Sequence, residues 1–168
     1  MSPRRLLAGL ALLALVPAVE AGAPEGTRYL AQLQGPWSMT GEVMGKPVSY
    51  AARGRWQLNG AWLEFAMTDS ATPPAYEARL YLGYDGRAHD FIAHWLDRFG
   101  AAGARVVGTG TLEGRTLTIV FPYAQGTFRD TLTLDPQGSS GTLLLEQQGK
   151  DGQWSRFADY ALRRTGRH

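Results

Sequence analysis

The most constraining feature of this sequence is a succession of short segments in which apolar and polar residues alternate. From Tyr76 to Tyr84, every second residue is apolar or aromatic, and the residues between them include Glu77 and Arg79. A period of two is expected of a β-strand with one buried face. The pattern recurs from Trp37 onward and predicts about ten strands.

The connections between these segments are short. Asn59-Gly60, Asp85-Gly86 and Glu113-Gly114 are turn signals, and Asn-Gly is typical of a tight hairpin. Turns of this length leave no room for crossover helices, so the strands are predicted to pair antiparallel in sequence order. Closure into a barrel removes exposed edges, and about ten strands should leave an internal cavity. The predicted fold is therefore all-β, an up-and-down antiparallel barrel; a two-sheet sandwich is the alternative.

A short helix is predicted before the first strand, over Thr27 to Gln34. Tyr29, Leu30 and Leu33 are spaced for one helical face, and Gly35-Pro36 would end the helix. Because two turns of helix are not stable alone, we expect it to lie across an open end of the barrel.

The N-terminus has the pattern of a secretory signal peptide. Arg4 and Arg5 precede an apolar run over 6–16, and small residues flank a cleavage site after Ala21. The run is too short to span about 30 Å of hydrocarbon, which takes about 20 residues. We therefore predict a signal peptide over 1–21, a linker over 22–26 and a single barrel domain over 27–165. The mature protein is expected to be exported, periplasmic or secreted from a bacterium, without a membrane span.

Composition excludes several classes of chemistry. The chain has no cysteine, which excludes disulfides, thiolate nucleophiles and zinc-thiolate sites. The net charge is +2, and after the predicted signal peptide only Arg163-Arg164 are adjacent arginines, so nucleic-acid binding is not indicated. Neither a Gly-x-Ser-x-Gly elbow nor a glycine-rich phosphate loop is present, and no cofactor is indicated. The oligomeric state is left open.

Metal binding is not predicted either. The strand that contains His89, Asp90, His94 and Asp97 places Asp90 and His94 on one face and the other two on the opposite face. At most two of these side chains could meet one ion, which is too few for a protein metal site.

Three polar residues fall on the apolar phase of predicted strands, where a charge is costly unless paired. Asp130 alternates with apolar residues, Arg156 shares a face with Tyr160, and the direction of His94 is ambiguous. One hypothesis is a binding site for a small apolar or amphiphilic molecule. In it, Arg156, assisted by Tyr160 or His94, holds a ligand carboxylate, and Asp130 orients the arginine. Trp37, Tyr50 and Trp56 would line the apolar tail.

Other readings of the same residues stay open. Asp130 and Arg156 could form an internal ion pair, or a bulge could turn one of them to solvent. An enzyme would use His94 and Asp130 as base and orienting group, whereas a structural module of the cell envelope would have a packed interior. The protein is predicted to bind rather than to catalyse.

Five short motifs lie along the predicted barrel: Leu30-Ala31-Gln32-Leu33-Gln34-Gly35-Pro36-Trp37, Gly83-Tyr84-Asp85, Trp95-Leu96-Asp97, Gly110-Thr111-Leu112-Glu113-Gly114 and Asp159-Tyr160-Ala161-Leu162-Arg163-Arg164. On these motifs, the chain resembles the domain-of-unknown-function 1579 family, which has no agreed activity. The resemblance implies a lipocalin-like or fatty-acid-binding-like barrel of the calycin type, with a short helix near its N-terminus.

A more distant likeness is to the haem-binding nitrobindin barrels, which also have ten strands. Those proteins bind iron through a histidine on a late strand. Here the segment 157–163 has no histidine, and His168 stands at the extreme C-terminus. Nitrobindin-like haem binding is therefore only an alternative.

Overall fold

The computed structural model describes residues 22–166, and the predicted signal peptide and His168 lie outside this range. These residues form one α-helix and ten strands, with short 3-10 turns at Leu58–Gly60 and Gly103–Arg105. The elements are, in order, α1 (Glu25–Ala31), β1 (Gly35–Val43), β2 (Lys46–Gln57), β3 (Trp62–Asp69), β4 (Glu77–Asp85), β5 (Asp90–Asp97), β6 (Gly108–Glu113), β7 (Thr116–Phe121), β8 (Phe128–Leu134), β9 (Ser140–Gln148) and β10 (Trp154–Arg164).

The ten strands form one closed antiparallel barrel. Each strand pairs with its neighbours in sequence, and β10 pairs with β1 to complete the ring. In that last pairing, Trp37 lies opposite Arg164 and Val43 lies opposite Ala158. The predicted up-and-down barrel is therefore confirmed, and the alternative of a two-sheet sandwich is wrong.

Some predicted boundaries differ from the structure. The helix covers Glu25–Ala31, so it begins inside the predicted linker and ends three residues before the predicted Gln34. The sequence pattern also predicts a strand from Ala104 and an inward Leu58. Strand β6 begins only at Gly108, after the 3-10 turn over Gly103–Arg105, and Leu58 lies in the other 3-10 turn and is exposed.

Helix α1 closes one end of the barrel, as predicted; we call this the closed end. The Tyr29 hydroxyl donates a hydrogen bond to the Leu132 carbonyl at 2.7 Å, and Leu30 and Leu33 are buried. The indole nitrogen of Trp37 donates to the Leu33 carbonyl at 2.9 Å, which holds the connection to β1 against the core. The opposite end, between the β3–β4, β5–β6 and β7–β8 loops, carries no helix among the described residues; we call it the open end.

Arg164 fastens the chain around the closed end. Its guanidinium donates hydrogen bonds to the carbonyls of Gly138 at 3.0 Å, Gln34 at 2.5 Å and Gln32. The same group lies 4.4 Å from the centre of the Trp37 ring, in a cation–π geometry. Because these carbonyls follow α1 or join β8 to β9, one side chain links three separate parts of the chain.

The closed half of the barrel interior is filled by side chains. Leu63, Leu82, Phe91, Leu117 and Leu162 face inward and are at most 1% exposed. A void that could hold water beside these side chains would leave them measurably accessible. Large apolar side chains therefore occupy the interior of this half, which does not form the expected internal cavity. No helix within residues 22–166 is long and apolar enough to cross a membrane.

Replacing Arg164 with methionine should lower the free energy of unfolding by about 2–3 kcal/mol, because carbonyls that lose a charged donor go unpaired. Urea unfolding followed by tryptophan fluorescence measures this change. Arg163→Met is the matched control, since Arg163 is the exposed neighbour on the same strand and should change stability by less than about 0.5 kcal/mol. Equal effects of the two substitutions would contradict the linking role of Arg164.

Candidate functional site at the open end

The centre of the candidate site is Asp130, which lies inside the barrel wall. Strand β8 places Asp130 opposite Ile119 of β7 and opposite Leu145 of β9. Its side chain faces inward, is 3% exposed, and is the one charged residue among the buried residues of the described chain. Its Oδ1 atom has no hydrogen-bond partner in that part of the chain. Desolvation by this apolar surrounding raises the pKa of the Asp130 carboxyl to about 8.

A first aromatic group lines one side of the open end and consists of Tyr160, Tyr50, Tyr76 and Phe99. The ring centres of Tyr160 and Tyr50 are 5.9 Å apart, those of Tyr50 and Tyr76 are 5.8 Å apart, and Phe99 is 5.9 Å from Tyr76. The group runs from Tyr160, which is buried, to Phe99, which is 78% exposed. It therefore forms a continuous aromatic path from the interior to the rim.

A second aromatic group lines the other side and consists of Phe121, Tyr123, Phe128 and Phe157. Tyr123 stacks on Phe121 with ring centres 5.7 Å apart, and its ring meets Phe128 edge-on at 5.8 Å. Phe128 in turn meets Phe157 edge-on at 5.1 Å. Phe128 precedes Asp130 by two residues on the same face of β8, so this group lies directly beside the buried carboxyl toward the open end.

The tyrosines of both groups are held in their neutral form. Burial raises the pKa of Tyr123 to about 12, and the Asp130 and Asp97 carboxylates add to that shift. The pKa values of Tyr160, Tyr50 and Tyr76 are also raised, chiefly by desolvation. These hydroxyls therefore remain hydrogen-bond donors at any physiological pH.

Tyr76 connects the first aromatic group to the rim. Its hydroxyl accepts a hydrogen bond from the Trp95 indole nitrogen at 3.3 Å and donates to the Asp97 carboxylate at 3.4 Å. The carboxylate of Asp97 also accepts from the Phe99 backbone N–H at 2.9 Å, which orders the start of the β5–β6 loop.

The predicted inward placement of Arg156 is wrong. In the pairing of β10 with β9, Arg156 lies opposite Glu146 and Ala158 lies opposite Leu145, so Phe157 is an extra residue in the ladder. Such a bulge changes the face on which the preceding residues point. Arg156 is therefore on the outer face, and its side chain is 60% exposed.

On that outer face, Arg156 is engaged by two acidic residues. Its Nη1 atom lies 2.6 Å from the Asp159 carboxylate, and its Nη2 atom lies 3.9 Å from that of Glu42. It cannot anchor a carboxylate inside the barrel, and it cannot form an internal ion pair with Asp130.

His94 also lies outside the barrel. Its neighbour Ala93 faces inward and is fully buried, while the His94 ring meets the outer Trp62 ring edge-on at 6.1 Å. Because Asp130 faces the interior, the two side chains lie on opposite sides of the sheet. The predicted pairing of His94 with Asp130 as a catalytic base and its orienting group is therefore wrong.

Trp37 and Trp56 belong to the closed end. Trp37 is 1% exposed beneath Arg164, and Trp56 lies opposite Leu63 near the end of β2. Of the seven predicted site residues, the structure brings together Asp130, Tyr50 and Tyr160.

The prediction missed Tyr76, Tyr123 and Phe128 as site residues. Tyr76 and Phe128 continue the apolar alternation of their strands, which was a usable signal. Tyr123 follows Phe121-Pro122 in a loop without periodicity, so the sequence offers no sign of its position.

The described histidines do not provide an interior ligand for haem iron. His89 lies in the β4–β5 turn with Nδ1 3.3 Å from the Tyr84 hydroxyl, and His94 is outside. Within residues 22–166, no three histidine or carboxylate side chains converge in a geometry suited to a metal ion.

This geometry defines a class of protein: a small, closed, lipocalin-like antiparallel barrel with one end covered by a helix and the other lined by aromatic residues. Residues 25–164 match the family described as protein of unknown function (DUF1579), and the chain belongs to that family. The fold is similar to the crystal structure of Rv2717c from M. tuberculosis, with a TM-score of 0.59 and 14% identity. That match covers 85% of this chain and 99% of the other. A comparison with curated proteins found no match.

The buried Asp130 makes stability depend on pH. Its carboxyl titrates near pH 8 in the folded protein, against an ordinary value of 3.8, so the folded state holds the proton more tightly than the unfolded chain. Stability should therefore fall as pH rises from about 4 to about 8. Asp130→Asn removes this dependence. As the pH rises from 5 to 8, the free energy of unfolding of the variant should therefore increase relative to that of the wild type by on the order of 3 kcal/mol.

Urea unfolding at the two pH values tests this expectation. Glu113→Gln, an exposed substitution at the closed end, is the control and should retain the wild-type pH dependence. An Asp130→Asn variant that loses as much stability as the wild type between pH 5 and pH 8 would show that Asp130 is ionised at little cost.

Proposed function

We propose that this protein is an exported barrel that binds a small amphiphilic molecule at its open end. The apolar part of the ligand lies against the two aromatic groups, and its polar part reaches Asp130. The observation that carries the proposal is the Asp130 carboxyl, buried in an apolar interior with an oxygen that lacks a hydrogen-bond partner in the described chain.

The energetic argument starts from the cost of that carboxyl. A buried polar atom without a partner destabilises a protein by about 1–3 kcal/mol, and cores rarely keep one without a role. An apolar residue would fit among Ile119, Leu145 and Leu132 without this cost. A ligand group that hydrogen-bonds to Asp130 would supply the missing partner.

The aromatic groups supply the rest of the site. Tyr76, Tyr123 and Phe128 are partly buried, so one face of this lining is accessible while the other packs on the core. Aromatic side chains offer large apolar area with few rotatable bonds, which suits the binding of a flat or elongated apolar body. Since Asp130 is covered, entry of a ligand requires a covering side chain to turn aside. We propose Tyr123 as that side chain, because it lies in the loop between β7 and β8, outside the strand ladder.

Export is part of this proposal. The pattern of Arg4, Arg5 and the apolar run over 6–16 supports it. We propose binding without catalysis, because the acid at the site stands apart from the two described histidines.

Titration with Nile red, an uncharged fluorophore, tests binding at the open end. We expect the emission to increase and shift to the blue with the wild type, and Tyr123→Ala to weaken the affinity about tenfold by removing its stacked surface. Leu58→Ala is the matched control, because Leu58 is an exposed apolar residue at the closed end and should leave the affinity unchanged.

Two results would contradict the proposal: no binding of Nile red, or equal weakening by the two substitutions. Native mass spectrometry of the protein from its host envelope gives a second test. We expect a co-purifying mass that disappears on denaturation.

A second function is favoured by the packing of the closed half. Side chains there fill the interior, as expected of a structural or interaction module of the cell envelope. Apoprotein without bound mass, together with no response to Nile red, would favour this module over the binding protein.

A further inference from the structure

We propose that the open end selects ligands that carry a protonated amine, which pairs with the Asp130 carboxylate while the apolar body of the ligand lies against the aromatic groups. This inference rests on the proposed binding function and specifies the ligand class. It also reverses the charge expected from the sequence, since Arg156 is outside the barrel and cannot receive a carboxylate.

The first argument is the charge of the interior. Among the buried residues of the described chain, Asp130 is the only aspartate, glutamate, lysine, arginine or histidine. Its neighbours across the strands, Ile119 and Leu145, are apolar. An anionic ligand would meet an acid and no compensating cation, whereas an ammonium group would remove the cost of the isolated carboxylate.

The second argument is the negative electrostatic potential at the rim of the open end. Asp97 lies at the end of β5 and accepts a hydrogen bond from the Tyr76 hydroxyl. The carboxylates of Asp97 and Asp130 both raise the pKa of Tyr123. Tyr123 is thus within electrostatic reach of two acids. The faces of the surrounding aromatic rings also carry negative potential and attract ammonium groups.

The third argument is that the arginines nearest the site in sequence are already engaged. Arg98, between the rim residues Asp97 and Phe99, donates hydrogen bonds to the carbonyls of Pro74 and Ala75. Arg129, next to Asp130, pairs with Glu146 at 2.7 Å and stacks on Trp154 at 4.2 Å. Arg156 pairs with Asp159 at 2.6 Å. Neither Arg129 nor Arg156 offers positive charge to a ligand inside the barrel.

Binding of an amine should also release a proton. In the free protein, the Asp130 carboxyl is mostly protonated at pH 7, because its pKa is about 8. Pairing with an ammonium requires the carboxylate, so complex formation expels that proton to solvent. The other titratable groups that face this region are Tyr50 on β2, Tyr76 before β4, Asp97 on β5, Tyr123 in the β7–β8 loop and Tyr160 on β10. The tyrosines stay neutral at pH 7, so Asp130 is the source of the proton.

Three probes with one apolar body test the preference: 2-naphthylmethylamine, 2-naphthylmethanol and 2-naphthoate. Isothermal titration calorimetry at pH 7, in two buffers with different ionisation enthalpies, measures both affinity and proton release. We expect the amine to bind at least about tenfold more tightly than the alcohol, with naphthoate weakest, and to release close to one proton.

Asp130→Asn is the decisive variant, because it keeps the shape of the side chain and removes the charge. It should lower amine affinity to that of the alcohol and abolish proton release, while the affinity for the alcohol stays within about twofold. Urea unfolding of the same sample confirms that the variant is folded. Glu113→Gln, at the closed end, should bind all three probes as the wild type does.

The outcomes separate this inference from the proposed function. If the alcohol or naphthoate binds as tightly as the amine, the amine preference is wrong and the binding function stands. The same holds if the amine loses nothing in Asp130→Asn. If none of the three probes binds at about 1 mM, both the preference and the binding function fall.

Discussion

The pairing of β10 with β1 is the constraint on which the rest of the structure depends. It closes the ring of strands, removes both free edges and thereby defines an inside and an outside for every residue. Arg164, at the end of β10, reinforces this closure through carbonyls that follow α1 and that of Gly138. Only in a closed ring is Asp130 enclosed on all sides, because an open sheet would leave one of its faces to solvent.

Closure also divides the interior into two unequal halves. The closed half contains helix α1 and large aliphatic side chains, and packing there is complete. The open half contains aromatic residues and an acid, which pack less uniformly and leave rim residues such as Phe99 exposed. The Asp130 carboxyl in the open half costs free energy, and proteins commonly offset such a cost at one site by interactions elsewhere in the fold.

One extra residue decides the electrostatics of the site. Phe157 bulges from β10, so Arg156 faces solvent although strict alternation would point it inward with Tyr160. Without that bulge, Arg156 would face the interior with Tyr160 and could pair with Asp130. The sequence contains no signal that distinguishes the bulge from regular alternation, because a bulge depends on the ladder made with β9. The phase of His94 is ambiguous in the sequence because both faces of its strand carry apolar residues, and the burial of Ala93 places His94 outside the barrel.

The sequence by itself determined the number of strands, most of their inward residues, their antiparallel order and the position of the short helix, because each depends on local periodicity and turn chemistry. It also identified Asp130, Tyr50 and Tyr160 as inward residues. The tertiary structure alone decided that Trp37 and Trp56 lie at the closed end and that Tyr123 joins the site. It also showed that the closed half is filled and that Asp130 lacks an internal cation. These properties arise from contacts between residues far apart in the chain, and local alternation cannot specify which strands, bulges and loops will meet.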